Sequence, residues 1–416
     1  MPFPPHPIAA AKRQLDFAAP EDQSSVIALA DALLAGADPT TDDLAAAARS
    51  ADAPLEFRIA VKLVRSRRTL QSVTRPLKLG IVFAMWGEHN RLRPRSPGNP
   101  NGEDALRVKL QQLAWATADT KVDWTVYAVD DGDPHASGRL AAEIAASEPI
   151  GAKVRVLWLA DALPAAAGPL AGLASVDDSR KGGAVIHGCT QALADGVDAV
   201  VYTDADVSVH LGQIGLLLQP YLERGTRVVL GDRKHPDAVL VKQEGRWGVG
   251  IKALRHMQRM LGRAVFSRGI HDTQAAFKLY QADLLGEIIA DPTVYDFSFD
   301  SDWILAAIAR GESIETVPFA FIDSAAESAS IAQGPMTTWE TLLLGLVKAV
   351  RKHGLPGDED MARVIDEEIH DARDLELLID HLPAELEAAA DAALGDPALM
   401  SPARMQAWIQ ERKRNA

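Results

Sequence analysis

Two aspartates, Asp204 and Asp206, stand one residue apart where an apolar run, Ala199-Val200-Val201-Tyr202, ends. In an extended segment, residues two apart face the same side, so this pair can present two carboxylates together. A hard divalent ion such as Mg2+ or Mn2+ takes oxygen ligands of this kind and completes its shell with substrate phosphates and water. A solvated turn carries the same pattern, and a lone D-x-D does not decide between the two. Similar runs end in Glu88 and in the adjacent pair Asp130 and Asp131. Lys181 precedes Gly182 and Gly183 at a helix start, where a cation, free N–H groups and the helix dipole could meet substrate charge. Arg233, after a further apolar run, has the planar fork suited to phosphate or a pair of sugar hydroxyls, and equally to a surface salt bridge.

The segments that must position these residues alternate in texture. LKLGIVFAM (77–85), DWTVYAVDD (123–131), AKVRVLWLA (152–160), DAVVYTDAD (198–206) and TRVVLGDR (226–233) are near-continuous apolar runs. Strands buried on both faces of a parallel sheet require such runs. Between them lie helix-like stretches at 103–119, 138–148 and 183–196. Strand, helix and strand in repetition predict a doubly wound α/β sheet, with its ligand beyond the carboxyl ends of the strands. That edge is where the carboxylates collect.

Helical additions are expected at both ends, giving units of 1–74, 75–335 and 336–416. In the first, Gly36 is expected as a left-handed cap, Thr40 as an N-cap and Pro54 as a first helical residue. Ser401-Pro402 starts the last helix. The segment TTWETLLLGLVKAVRKHG (337–354) is amphipathic with a basic end. It suits either packing on the core or lying on a membrane surface, and core packing is the favoured expectation. The amphipathic terminal helices suggest a homodimer.

Composition narrows the classes. The chain has 416 residues, 47% hydrophobic and 24% charged, with a net charge of −14. So acidic a surface argues against general affinity for nucleic acid or anionic membrane, and an enzyme of anions must then concentrate cations locally. One cysteine, Cys189, excludes an intrachain disulfide and suits a reducing, cytoplasmic location. Prolines interrupt the N-terminal stretch where a signal peptide needs an apolar core, and no run is long enough to span a membrane.

The strand-end motifs resemble those of family 2 glycosyltransferases of the GT-A fold, especially the dolichyl-phosphate glucose and mannose synthase branch. IVFAMWGEHNRL (81–92) resembles VVIPAYNEENRL, VYAVDDGDPHASGRL (126–140) resembles VVDDGSxDxT, and RKGGAVIHG (180–188) is similar to GKGGAVRxG. VYTDAD, VVLGDR (228–233), HDTQAAFKLY (271–280) and FSFDSDWILAAIARG (297–311) match FTDAD, VxGSR, DTQCGFKLF and FDVELLxLAxxxG in the family's order, across roughly residues 77–325. The resemblance implies a mixed GT-A sheet and transfer of a sugar from a UDP- or GDP-sugar, with Mg2+ or Mn2+ held by Asp204 and Asp206. Trp86 and Glu88 would then line the nucleoside pocket, with Asp130 and Asp131 reading base and ribose, and Lys181, Asp204 and Arg233 near the diphosphate. A base for inverting transfer would come from Asp272, Asp300 or Asp302, although Asp300 also suits a helix cap. His271 or His210 could complete the metal site, as histidine does in some retaining GT-A enzymes.

Departures from the pattern are Ala84, Gly87, Arg180, Asp232 and Ala276, and a longer loop, RLRPRSPGNPNGED (91–104), placed as a lid or acceptor loop. The expected acceptor is a soluble small molecule or phosphorylated metabolite, with inversion. Three alternatives stay open: a retaining enzyme similar to glucosyl-3-phosphoglycerate synthases, a polyprenyl-phosphate glycosyltransferase at the membrane surface, and an inactive sugar-nucleotide-binding subunit. A sugar-nucleotide pyrophosphorylase would need a Gly-rich loop after the first strand, which is missing.

Overall fold

A computed structural model describes residues 8, 10–36, 40–242, 248–323 and 335–415. The Pro-rich start at 1–7 lies outside them. The strands are β1 (Leu77–Met85), β2 (Val122–Asp130), β3 (Val154–Trp158), β4 (Ala199–Thr203), β5 (Val228–Asp232), β6 (Val239–Val241), β7 (Phe277–Gln281), β8 (Ile314–Pro318) and β9 (Ala320–Ile322). Seven form the central sheet in the order β3-β2-β1-β4-β7-β5-β8, and β6 pairs with β9. All neighbours in the large sheet are parallel except β7, which runs antiparallel between β4 and β5. The expected doubly wound mixed sheet with helices added at both ends is therefore present.

Side chains alternate between two apolar layers, as strand geometry dictates. Val82, Tyr127, Val200 and Tyr202 join one core with the helix Gly182–Ala194, the helix Phe299–Ala309 and the C-terminal helices. Leu79, Ile81, Phe83, Val126 and Val201 face the other, against the helices Ala105–Thr117 and Ile214–Arg224. β4 stops at Thr203, so Asp204 and Asp206 lie in the bend beyond it, and the two-residue repeat of a strand does not govern them.

The terminal additions are tied into these cores. Leu343, Leu346 and Val347 of the helix Pro335–His353 are buried in the first core, so its apolar face packs inward. Its basic end is occupied by ion pairs of Arg351 with Glu359 (2.7 Å) and Asp366 (2.8 Å) and by a hydrogen bond between His353 and Asp302 (2.7 Å). No helix among the described residues is long and apolar enough to cross a membrane. The apolar face of this helix is thus covered within the chain. Ser401 starts the last helix, accepting from Arg404 N at 3.3 Å.

At the other end, Phe17, Leu29, Phe57 and Leu63 share a third core with Val207, Val239 and Ile322. The N-terminal helices thereby buttress the bend that carries Asp206. Thr40 and Asp43 form the expected capping box. Gly36, however, leaves its helix extended (φ −73°, ψ 133°) rather than left-handed, and Pro54 sits at the N-cap, one residue before the helix Leu55–Gln71. Because both ends share apolar cores with the sheet, the division at 74/75 and 335/336 remains a proposal about sequence units.

The helix Leu55–Gln71 meets Ile214–Arg224 at close range. Ser66 Oγ donates to Gly212 O (2.5 Å) and accepts from Gly215 N (2.8 Å), and a Cβ on Gly215 would lie 2.1 Å from Ser66 O. Gly215→Ala is expected to lower the unfolding free energy by ~1–3 kcal/mol, the usual cost of overpacking, in a urea melt. An unchanged midpoint would show that this contact does not fix the N-terminal helices.

Candidate functional site

The strand order brings the distant motifs to one edge. Trp86 and Glu88 follow β1, Asp130 ends β2, Asp204 and Asp206 follow β4, and Arg233 follows β5. Asp272 precedes β7, whose beginning lies at this edge because the strand is reversed. Among the described residues, two cavities open here. One, of 390 Å³, is lined by Trp86, Asp131, Gly132, Ser179, Arg180 and Thr337 among others. The second, of 330 Å³, contains Lys181, Arg233, His271, Asp272 and Asp300 in its wall.

Lys181 connects them. Its backbone N donates to Asp131 Oδ2 at 2.6 Å, while its ammonium pairs with Asp204. The backbone there adopts φ +77°, an unusual conformation for a residue with a Cβ, and it aims the two groups in different directions. Burial alone would raise the Asp204 carboxyl, but Lys181 outweighs it and holds the group below its usual range. Asp204 is therefore an anion with a built-in counterion.

In the first cavity, Asp131 also accepts from Ser179 Oγ (2.6 Å), and burial pushes its carboxyl up to about 6. Glu88 and Asp130, expected beside it, are not in the lining of either cavity. Asp130 accepts from the backbone N of Asp133 (3.0 Å) and of Gly138 (2.8 Å), which ties β2 to the next helix. Glu88 is buried against Arg91 at 3.0 Å, and burial pushes it up to about 7. Sequence reading missed Asp133, which accepts from Gly87 N (2.7 Å) and Ser137 N (2.6 Å) and so shapes the loop bearing Trp86.

Buried cations hold the acidic bend. Lys109, fully buried, donates to Asp206 O at 2.5 Å, and Glu103 accepts from Val207 N at 3.0 Å while pairing with Arg91 at 3.2 Å. The carboxylate of Asp206 accepts from Ser208 N at 3.0 Å. Two carboxylates are the right donors for a hard cation, yet among the described residues no three acidic, His or Cys groups gather to hold one. His271 is exposed in the second cavity wall and does not join Asp204 and Asp206 in such a group. His210 is buried against Phe17 and Trp115, accepts from Gly212 N at 3.0 Å and is pushed down to about 3 by burial, so it serves the fold. Mg2+ or Mn2+ fits here only if Asp204 and Asp206 supply the protein ligands and phosphate oxygens and water supply the rest.

The proposed base residues are engaged in pairs. Arg233 grips Asp272 through Nε (2.8 Å) and Nη2 (2.7 Å), and its backbone N adds a third bond at 2.9 Å. Burial opposes the charge on Asp272, but this arginine holds the carboxyl down to about 2. Asp300 pairs with the fully buried Lys278 at 2.9 Å, and burial pushes the acid up and the lysine down. Asp302 faces away, bonded to His353 at 2.7 Å, and is not in the cavity lining. The loop at 91–104 contributes to neither cavity, being folded back through Arg91, the Ser96–Asn99 bridge and an Arg95–Asp16 pair at 2.7 Å.

The second cavity also recruits residues that no motif marked: Lys234, Lys242, Arg255, Arg259 and Asp323. Arg255 and Arg259 sit four residues apart on one face of the helix Ile251–Leu261, a spacing that was readable. What the spacing could not show is that this face turns toward the strand ends.

No family model matches the chain. Over 201 residues it is 27% identical to a polyprenol monophosphomannose synthase of Mycolicibacterium smegmatis, covering 48% of this chain and 66%, just under two thirds, of that protein. Over 224 residues it is 26% identical to an undecaprenyl-phosphate mannosyltransferase of Micrococcus luteus, covering 54% and 80%. Among solved structures it is similar to mannosyl-3-phosphoglycerate synthase from Rubrobacter xylanophilus (TM-score 0.45, 15% identity, 70% of this chain and 78% of that one). It is also similar to glucosyl-3-phosphoglycerate synthase from Mycobacterium tuberculosis in complex with Mn2+, UDP-glucose and phosphoglyceric acid (TM-score 0.45, 15%, 71% and 84%). The resemblance to glycosyltransferases drawn from the ordered motifs is borne out by the two sequence relatives.

The Asp272 pair makes stability depend on pH. A carboxyl lowered from 3.8 to about 2 contributes stability that is complete above pH 3.8 and lost as pH falls through 2. Asp272→Asn should therefore cost about 2 kcal/mol at pH 7, with the gap to wild type narrowing below pH 4. Urea melts across this range check it, and a gap independent of pH would contradict the ion-pair account.

Proposed function

We propose that the protein transfers a sugar from a UDP- or GDP-sugar to a small acceptor that bears a phosphate or carboxylate. The carrying observation is the second cavity. In a chain of net charge −14, Lys181, Arg233, Lys234, Lys242, Arg255 and Arg259 line a single space of 330 Å³. Such a concentration of cations in a concave site favours an anionic ligand. The first cavity, with the Trp86 indole and the Asp131 carboxylate, suits a nucleoside, since an indole stacks on a base and a carboxylate accepts from ribose hydroxyls. Lys181, between the two, is then placed for the diphosphate.

The reaction follows from which groups can move a proton. Asp272, held near 2 by Arg233, has little tendency to take one at neutral pH, and Asp300 is engaged with Lys278. An acceptor oxygen that is already anionic needs no such base. In this reading the acceptor phosphate or carboxylate, held by Arg255, Arg259 and Lys234, attacks the anomeric carbon, and Lys181 offsets charge developing on the diphosphate. Mg2+ or Mn2+, held by Asp204 and Asp206, would supply further stabilisation of that leaving group. The curated relatives are named for polyprenol and undecaprenyl phosphates, which share a phosphate-bearing acceptor. A reducing compartment, the cytoplasm, suits the one buried free thiol, Cys189.

A second reading takes a polyprenyl phosphate as the acceptor. Val241 and Val249 are exposed, and they stand near Lys242 and Ile251 of the cavity wall in sequence.

Four measurements test the proposal. Thermal shift with UDP-, GDP- and dTDP-sugars and Mn2+ should single out one nucleotide, and a flat response to all would remove the donor assignment. Asp206→Asn should fold normally yet abolish metal-dependent release of nucleoside diphosphate. Arg255→Gln with Arg259→Gln should raise the acceptor KM by ~10-fold or more, the scale of one charged hydrogen bond, with donor binding intact. Proton NMR of the product should show inverted anomeric configuration; retention would rule out a single in-line displacement by the acceptor. Small phosphorylated acceptors and a short-chain polyprenyl phosphate, assayed side by side, separate the two readings.

A further inference from the structure

A third cavity, of 290 Å³, lies between the N-terminal helices and the segment after β5. Arg49, Arg58, Lys62 and Arg65 line it from one side, and Pro236, Asp237 and Val239 from the other. It shares no lining residue with the two cavities at the strand ends. Four cations thus face one carboxylate, and Arg49 already holds that carboxylate through two bonds of 2.9 Å.

The remaining three cations are placed as donors. Lys62 is only 6% exposed, and its ammonium donates to Asp237 O (2.8 Å) and Pro318 O (3.2 Å), which leaves one N–H unused by these bonds. Arg58 spends one N–H on Ala238 O at 3.3 Å. Among the described residues, no ion pair is formed by Arg58, Lys62 or Arg65 with any carboxylate. Burial pushes Lys62 down to about 7, with a smaller push from Arg65, Arg58 and Arg49 against the pull of Asp237.

We propose that this cavity is a binding site for a small oxyanion of the phosphate class, distinct from the catalytic cavities. Guanidinium forks of Arg58 and Arg65 match tetrahedral oxyanions geometrically, and the buried ammonium between them adds a charge-assisted bond. The site borders the chain that leads back from Asp237 to Lys234 and Arg233. Pro318, whose carbonyl Lys62 holds, precedes the segment containing Phe321, over which Arg233 lies at 5.1 Å. An anion here would therefore border the same segment that carries the grip on Asp272. The inference stands on this cavity alone and does not depend on the catalytic reading.

Isothermal titration of inorganic phosphate into the full chain, at constant ionic strength, tests it. Wild type should bind phosphate saturably, and R58Q/R65Q should bind one fewer phosphate per chain. The charge-conserving R58K/R65K should keep the stoichiometry with weaker affinity. If near-UV circular dichroism shows that R58Q/R65Q is misfolded, R49Q serves instead; its arginine side chain is 58% exposed, and freeing Asp237 should weaken the same site at least ~10-fold. No saturable binding in wild type, or an unchanged isotherm in the folded variants, overturns the proposal.

Discussion

Gathering carboxylates at one partly dry edge of a sheet is possible only if cations come with them. An uncompensated buried carboxylate takes up a proton or destabilises the fold. Here Asp204 is held by Lys181, Asp272 by Arg233, Asp300 by Lys278, and Glu88 with Glu103 by Arg91. Such pairs add little net stability because both partners lose water, but removing either one leaves a costly orphan. Their main consequence is positional: each fixes where a charge can stand. It is also chemical, since a carboxylate committed to an arginine is a poor base.

That constraint explains why helices outside the strand-end motifs are integral to the site. Lys109 reaches Asp206 from the helix Ala105–Thr117, and the N-terminal helices pack against Val207 beside it. From the other end of the chain, the helix Pro335–His353 supplies Thr338, Trp339 and Leu342 to the cationic cavity and His353 to Asp302. Asp391 approaches Arg259 through its carboxylate at 2.5 Å, steadying a cavity cation from the far C-terminal region. Helices that carry no recognisable motif thus set the charge and shape around those that do.

Legibility from sequence divided along physical lines. The strands β1 to β5 were readable, because burial on both faces leaves an apolar run that needs no partner to be recognised. β7 was not read as a strand, although its FKLYQ run is the hinge of the topology. Its reversal depends on which strands flank it, and nothing local records that. Trp86, Asp131, Lys181 and Arg233 were placed at the edge from their motifs, and they do line the cavities. Glu88 and Asp130 stood in the same motifs but turned to Arg91 and to backbone N–H groups. Gly36 shows the same limit on a smaller scale, since a glycine permits a left-handed cap without requiring it.

By itself, the sequence determined the alternating architecture, the edge at which the strand-end motifs gather, and the residue types collected there, because periodicity and strand-end position are local properties of a chain. Only the tertiary structure decided which carboxylates are free to meet a ligand and which are spent on internal cations. That choice rests on pairs far apart in sequence, such as Arg233 with Asp272 and Lys278 with Asp300. Coulomb attraction acts over ångströms in space, and only folding brings such partners within its reach.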